Sequence, residues 1–246
     1  MLLEVLDKDK ETSITLYIYD KLDADVSAYL PFTAEAMLWK EELYFETPIE
    51  LSNIEELKAT LAIDYGRLYY WPPGRAFCIF YGMSEPYTKV YDIGYLVTNP
   101  HYSLAFDDGD ELTIQEHKID KEYEDVVLVL KNLGYTASTP LQAGDKVVAA
   151  SKFVDNRFLS INVYKEDYGI HVESNPLFEY DGLYDTIKAL KKLKKTLQGK
   201  YKFSRLDLSE EGFVVITAIA DNINELANVT KELEKAYLQA LNLLEI

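Results

Sequence analysis

The chain has 246 residues, of which 48% are hydrophobic and 27% charged, a composition typical of a folded globular protein and not of a disordered one. Its 42 acidic and 25 basic residues give a formal net charge of −17, which disfavours nucleic acid and anionic membranes as partners. The single cysteine, Cys78, excludes an internal disulfide bond, and no apolar run approaches the length of a membrane span.

The N-terminal sequence, MLLEVLDKDKETS, turns polar after its first six residues. It lacks the basic start and the apolar core that a signal peptide requires. We therefore expect a cytoplasmic protein that does not associate with membranes.

The first half of the chain is predicted to form short strands between turns. The segment TSITLYIYD alternates apolar and polar positions, and ELYFETPIEL, RAFCIFYG and VYDIGYLVT follow with similar patterns. The stretch DDGDELTIQE predicts a turn and a last strand, and helices are predicted at 23–30 and 54–61. Many short strands with few helices favour a closed β-barrel or a sandwich over residues 1–118.

The second half, residues 119–246, has a different pattern and a smaller excess of acidic residues. Helical spacing in DKEYEDVVLVLKNLGY is followed by three strand-like pieces, a Lys-rich helix, a hairpin turning at Glu210-Glu211-Gly212, and a last amphipathic helix. The element order α-βββ-α-ββ-α predicts a compact α+β domain. A chain of this length accommodates two such domains, and we expect the boundary near residue 118.

The stretch from Leu68 to Gly82, LYYWPPGRAFCIFYG, places aromatic residues beside a turn. Pro72 and Pro73 fix two φ angles and remove two backbone donors, so they cannot lie inside a sheet. Gly74 is expected to take a positive φ that leads the turn into the next strand.

Two interpretations of this stretch stay open. It is either a rigid corner packed with aromatic rings, or the wall of an apolar groove for a Pro-containing or extended peptide. The candidate ligand-binding residues are Tyr44, Tyr69, Tyr70, Trp71, Pro72, Pro73, Arg75 and Tyr81.

Two motifs resemble those of a prokaryotic family of small cyclophilin-like proteins of unknown function. The first is Trp-x-x-Glu-Leu-Tyr-Phe-x-Thr-Pro, beginning at Trp39, and the second is Tyr-Trp-Pro-Pro-Gly-x-Ala-x-Cys-Ile-Phe-Tyr-Gly, beginning at Tyr70. The resemblance covers residues 1–118 and implies a cyclophilin-like closed β-barrel. The resemblance implies a fold, but it implies no activity because the family has no established one.

The resemblance raises the question of peptidyl-prolyl isomerase activity. In true cyclophilins an arginine on a strand polarises the peptidyl-prolyl amide, and the corresponding place here, Leu43–Pro48, carries no arginine. Arg75 is an alternative cation, but its place beside a turn favours a solvated side chain. We expect a non-catalytic module that binds a peptide or small ligand, with weak isomerase activity as the alternative.

Other kinds of site find little support in the sequence. The histidines have no metal-ligand spacing, and we expect neither a metal nor a cofactor. The basic segment 181–205 indicates a solvated helix face more than a nucleic-acid site. It also leaves a third possibility, an assembly protein that forms homo-oligomers through its C-terminal domain.

Overall fold

A computed structural model describes residues 1–244, which divide into two compact units. The first comprises residues 1–121 and 136–151, and the second comprises residues 122–135 and those from 152 onward. The described residues are mainly strands, with a smaller number of helices.

The first unit contains most of the strands. Within residues 1–121 they are, in chain order, β1 (Leu2–Asp7), β2 (Thr12–Ile18), β3 (Phe32–Glu35), β4 (Met37–Trp39), β5 (Glu42–Glu46), β6 (Ala59–Thr60), β7 (Arg67–Trp71), β8 (Ala76–Phe80), β9 (Val90–Leu96) and β10 (Glu111–Glu116). The short helix α1 (Asp23–Ser27) lies between β2 and β3 in the chain, and 3₁₀ turns occupy 20–22, 54–56, 72–74, 100–105 and 121–123.

These ten strands of the described residues form one antiparallel sheet in the order β3-β10-β1-β2-β9-β7-β8-β5-β4, with β6 paired to β9. The strands at the two ends of this order, β3 and β4, are consecutive in the chain and are separated by Ala36. Ala36 is fully buried and its backbone N–H donates to the carbonyl oxygen of Asp110. One chain segment therefore connects the two ends of the sheet.

Most of the predicted strands of the first half are confirmed, and one predicted helix is wrong. Residues 54–61 form a 3₁₀ turn at Ile54–Glu56 and then strand β6, because the backbone becomes extended at Leu57 and Ala59 pairs with Tyr91. The helix predicted at 23–30 is present but ends at Ser27. Strand β1 was not predicted.

Residues 136–151 pack with the N-terminal residues, which the sequence pattern did not indicate. They contain β11 (Thr136–Ser138), β12 (Leu141–Gln142), β13 (Asp145–Lys146) and the start of β14 (Val148–Val154). The hydroxyls of Thr15 and Ser138 lie 2.6 Å apart, and Ser151 donates to the carbonyl oxygen of Leu96 at 2.6 Å. A domain division at residue 118 stays a prediction.

The second unit holds the remaining elements. They are α2 (Glu124–Asn132), which precedes β11 in the chain, and then β15 (Arg157–Glu166), β16 (Gly169–Ser174), β17 (Phe178–Glu179), α3 (Tyr184–Leu197), β18 (Ser204–Leu208), β19 (Phe213–Ala220) and α4 (Ile223–Leu244). Strand β16 pairs with β15 and β19, and β19 also pairs with β17 and β18. The apolar face of α4 packs on β19 and β16.

The predicted helices and the hairpin of this unit are confirmed. The turn falls where it was expected, with Gly212 at a φ of +89°. The Lys-rich helix is α3, which buries Leu193 and Leu197 and leaves Tyr184 exposed. A role for α3 in assembly stays a prediction. Within residues 1–244, no helix combines the length and the apolar character needed to cross a bilayer.

Candidate functional site

Four neighbouring strands of the first unit, β4, β5, β8 and β7, place a set of aromatic and acidic side chains on one face of the sheet. Trp39 pairs with Glu42 across β4 and β5, and Tyr44 lies two residues beyond Glu42. Tyr44 pairs with Cys78, and Cys78 pairs with Tyr69. Because side chains alternate along a strand, these residues and Trp71, two beyond Tyr69, point to the same side.

This face carries a cleft of about 220 Å³. Its lining residues come from β4, β5, β7 and the loop before β9, and they are Trp39, Glu42, Tyr44, Trp71, Pro86, Tyr87 and Thr88. The volume is below the roughly 300–1,000 Å³ of pockets for drug-sized ligands. The cleft therefore fits one side chain of a peptide or one small molecule.

Aromatic rings form the walls. The rings of Trp39 and Tyr87 meet edge to face with centroids 4.8 Å apart. The ammonium nitrogen of Lys40 lies 4.2 Å from the centroid of Trp39 and 5.2 Å from that of Tyr87. These distances are within the range of cation–π contacts, so the two rings already hold a cation of the protein itself.

The floor beneath the rings is closed by a buried apolar cluster. Tyr69, Cys78, Phe80 and Val90 form this cluster, and Tyr44 and Trp71 pack against it. The rings of Tyr69 and Phe80 meet edge to face at 5.9 Å. The aromatic walls of the cleft therefore rest on a packed core.

One acidic side chain lies among these apolar groups. Glu42 is 7% exposed and lines the cleft. Burial raises the pKa of its carboxyl, and the hydrogen bond from the Cys78 thiol offsets this only in part. Burial, followed by the charge of Glu42, raises the pKa of the Cys78 thiol well above its usual range. The cysteine is therefore a protonated donor and not a thiolate nucleophile.

The loop that carries Tyr87 is tethered to the turn between β4 and β5 and to the end of β7. The carboxylate of Glu41 accepts a hydrogen bond from the backbone N–H of Met83 at 2.6 Å, and the Ser84 hydroxyl accepts one from the backbone N–H of Glu41 at 3.0 Å. The indole N–H of Trp71 donates to the hydroxyl of Thr88 at 2.7 Å. The loop is therefore held where it contributes to the cleft.

The predicted role of Gly74 is wrong. Gly74 does not take a positive φ; that conformation belongs to Arg75, with a φ of 48°. The glycine is instead required for space, because a Cβ atom at this position would lie 2.5 Å from Cζ3 of Trp71. Residues 72–74 form a 3₁₀ turn against the indole ring.

The structure brings together only part of the predicted set of ligand-binding residues. Tyr44 and Trp71 line the cleft, and Tyr69 lies in the floor with its hydroxyl bonded to the backbone N–H of Asp64. Tyr70 is 3% exposed and packs against Phe77 on the opposite face, because it neighbours Tyr69 on the same strand.

The other predicted residues do not line the cleft. Tyr81 is half-buried and donates to the carbonyl oxygen of Lys40 at 3.2 Å. Pro72 and Pro73 lie in the turn beside Trp71. Arg75 is exposed, and its guanidinium lies 3.0 Å from the carboxylate of Glu50.

Sequence reasoning missed five of the lining residues, namely Trp39, Glu42, Pro86, Tyr87 and Thr88. A signal for the first two was present, because a two-residue turn at Lys40-Glu41 would set Trp39 opposite Glu42 and on the same side as Tyr44. Tyr87 lies in an irregular loop, where no periodicity predicts which way a side chain points.

A family model described as cyclophilin-like matches residues 3–115. This part of the chain is therefore similar to a cyclophilin-like domain. Both predicted motifs and every residue that lines the cleft lie inside the match. The family description carries no activity, so the domain is one of unknown function.

Among solved structures, the chain is similar to the solution structure of a hypothetical protein from Archaeoglobus fulgidus. The two are 24% identical, the alignment covers 47% of this chain and 94% of the other, and the TM-score is 0.38. None of the curated proteins compared with the chain matches it.

Proposed function

We propose that the cyclophilin-like domain is a non-catalytic binding module that holds a small ligand, or one side chain of a peptide, in the aromatic cleft. The observation that carries this proposal is the cleft itself, in which Trp39, Tyr44, Trp71 and Tyr87 surround a small volume over a packed floor. Large rigid rings supply contact area at low entropic cost, and such clefts are typical binding sites.

The surroundings of the cleft favour binding over chemistry. Isomerisation of a prolyl bond requires a cation or donor aimed at the amide nitrogen. Arg75 does not line the cleft and is paired with Glu50. The thiol of Cys78 is buried and protonated, which excludes it as a nucleophile. These features support a module that binds its ligand without changing it.

We further propose that the sheet of this domain closes into a barrel. The two strands at the ends of the hydrogen-bonded order, β3 and β4, are joined through Ala36, so the sheet must curve until its ends approach each other. The aromatic cleft then lies on strands of a continuous wall, which supports a preformed site.

The test is a titration followed by tryptophan fluorescence. The chain has two tryptophans, and both line the cleft, so the whole tryptophan signal reports on the site. Proline-containing peptides and small aromatic or cationic molecules are added in turn, and calorimetry checks each apparent binding curve. We expect a saturable change for at least one probe.

Two matched variants localise the binding. Tyr87→Ala removes an 80% exposed ring that lines the cleft, and Tyr168→Ala removes a 61% exposed ring in the second unit. Binding should be lost in the first variant and kept in the second. Binding that survives Tyr87→Ala and Trp71→Phe unchanged would refute the proposed site, and so would a complete lack of binding by both methods.

A further inference from the structure

The cleft combines aromatic walls with a buried carboxylate that faces it. Four ring side chains and Glu42 line the same volume, and Glu42 is 7% exposed. None of the described residues lining the cleft is a lysine or an arginine. The negative charge of Glu42 therefore has no cationic partner within the cleft.

A buried carboxylate of this kind is costly to keep ionised. The thiol of Cys78, a weak donor, is its hydrogen-bond partner in the floor. Transfer of a charge out of water is compensated only when an opposite charge or several strong donors are supplied. A bound cation would supply the missing charge beside Glu42.

The rings favour the same kind of ligand. The face of an aromatic ring carries negative potential, and a cation within about 6 Å of its centroid is attracted to it. Lys40 shows this property in the protein itself, with its ammonium 4.2 Å from the centroid of Trp39. The side chain of Lys40 is exposed and belongs to the turn that precedes Glu42.

The presence of a single charged acceptor, Glu42, narrows the class of cationic ligand further. A primary ammonium presents three N–H donors, and each must find an acceptor when it is removed from water. The cleft offers one carboxylate, and its other side-chain acceptors are the neutral hydroxyls of Tyr44, Tyr87 and Thr88, the last of which already accepts from the indole N–H of Trp71. A methylated ammonium has few or no N–H groups and presents methyl groups to the rings.

We propose that the ligand of the cleft is an organic cation with a methylated ammonium group, held by the rings of Trp39, Tyr44, Trp71 and Tyr87 and by the charge of Glu42. This inference rests on the proposed binding function and names the chemical class of the ligand. The volume of about 220 Å³ accommodates such a head group, either of a free small molecule or of a modified side chain.

The experiment compares a cation with its neutral isostere. Choline chloride, tetramethylammonium chloride and the neutral isostere 3,3-dimethylbutan-1-ol are each titrated into the protein in separate experiments. Sodium chloride is added to the titration of the neutral compound so that the ionic strength is equal in all three. Tryptophan fluorescence gives the affinities, and the methyl proton resonances of the bound probes should shift upfield beside the rings. We expect the neutral isostere to bind at least about tenfold more weakly than choline.

The Glu42→Gln variant tests the carboxylate separately. It should weaken choline binding about tenfold and leave the neutral isostere unchanged, a difference that a purely structural defect would not produce. If this variant does not fold, the comparison of choline with its neutral isostere in the unmodified protein still tests whether the cleft selects a cationic ligand.

The outcomes separate the two proposals. Equal affinities for choline and the isostere would overturn the cation class while leaving a binding cleft in place, as would binding of proline peptides alone. A failure of every probe and peptide would overturn both the ligand class and the binding function. Free choline and a trimethyllysine peptide, compared in the same assay, distinguish a small-molecule ligand from a modified protein.

Discussion

A Cβ atom on Gly74 would lie 2.5 Å from Cζ3 and 2.6 Å from Cε3 of Trp71, distances at which atoms overlap. The turn Pro72–Gly74 therefore packs its backbone directly against the indole ring. The same indole lines the cleft, and its N–H donates to the hydroxyl of Thr88. The absence of a side chain at Gly74 thus determines where one wall of the cleft stands.

The Gly74→Ala substitution should displace the ring of Trp71. Overpacking of this kind costs about 1–3 kcal/mol, and we expect a loss of stability within that range. The backbone of Gly74 is not in the left-handed region, so the loss arises from the ring and not from strain in φ. Urea denaturation measures the stability, and tryptophan emission reports the displacement of the indole.

The control places the same substitution in a Trp71→Leu background. Without the indole the methyl group has space, so Gly74→Ala should cost much less there than in the unmodified protein. Equal costs in the two backgrounds would show that the glycine acts through its backbone and not through Trp71.

The thiol of Cys78 should resist modification in the folded protein. The residue is 2% exposed, and burial together with Glu42 keeps its pKa well above the usual range. Since the thiolate is the reactive form, we expect reaction with a chromogenic disulfide reagent at pH 8 to be at least about 100-fold slower than in denaturant.

A Met83→Cys variant provides the positive control, because Met83 is 90% exposed. Its additional thiol should react at the rate of a free peptide, while Cys78 stays protected in the same molecule. Rapid titration of both thiols before unfolding would show that the floor of the cleft opens in the native state.

The part of the site that could be predicted from the sequence is the part that lies on strands, where side chains alternate regularly between the two faces of the sheet. The alternation in β8 correctly separates Cys78 and Phe80 from Phe77, and both sets pack as expected. The grouping of Tyr69 with Tyr70 in one groove ignored the same rule, since adjacent residues of a strand face opposite sides. The alternation of side chains along a strand was therefore sufficient to predict which face of the sheet each strand residue occupies.

Other features lie beyond sequence patterns because they depend on distant contacts. The pairing of β1 with β10 joins residues more than 100 positions apart, and nothing local distinguishes Leu2–Asp7 as a strand. The same holds for the packing of 136–151 with β2, which rests on contacts such as that of Thr15 with Ser138. The contribution of Tyr87 to the cleft follows from loop tethers that no short motif encodes.

Glu4 should stabilise the fold at neutral pH and lose this contribution in acid. Burial alone would raise the pKa of its carboxyl, but the nearby His117 ring and the hydrogen bonds from Gln115 and Ser13 lower it from 4.5 to about 2. A group whose folded pKa is depressed contributes stability above its unfolded pKa and loses it as pH falls through the folded value.

We therefore expect Glu4→Gln to lower the free energy of unfolding at pH 7 by about 2–3 kcal/mol. The difference from the unmodified protein should shrink between pH 4.5 and pH 2. Urea midpoints at a series of pH values measure it, with Glu111→Gln on the exposed side of β10 as the control. A difference that is constant with pH would show that shape, and not charge, is what Glu4 supplies.

Glu173 on β16 should show the opposite dependence. Burial, followed by the charges of Glu211, Asp207 and Glu210, raises the pKa of its carboxyl from 4.5 to about 7. Between these two values the folded state binds a proton that the unfolded state has released, so stability falls as pH rises from 4.5 to 7. Above pH 7 the folded protein carries an unfavourable buried charge.

Glu173→Gln removes that charge and keeps the shape of the side chain. We expect the variant to be more stable than the unmodified protein by about 1–2 kcal/mol at pH 8 and nearly equal to it at pH 5. Glu179→Gln, at an exposed position of β17, is the matched control and should change stability little at either pH. If Glu173→Gln instead lowers the free energy of unfolding at pH 8, the carboxylate has a cationic partner in solution. Only a carboxylate whose charge is compensated stabilises the fold more than the amide that replaces it.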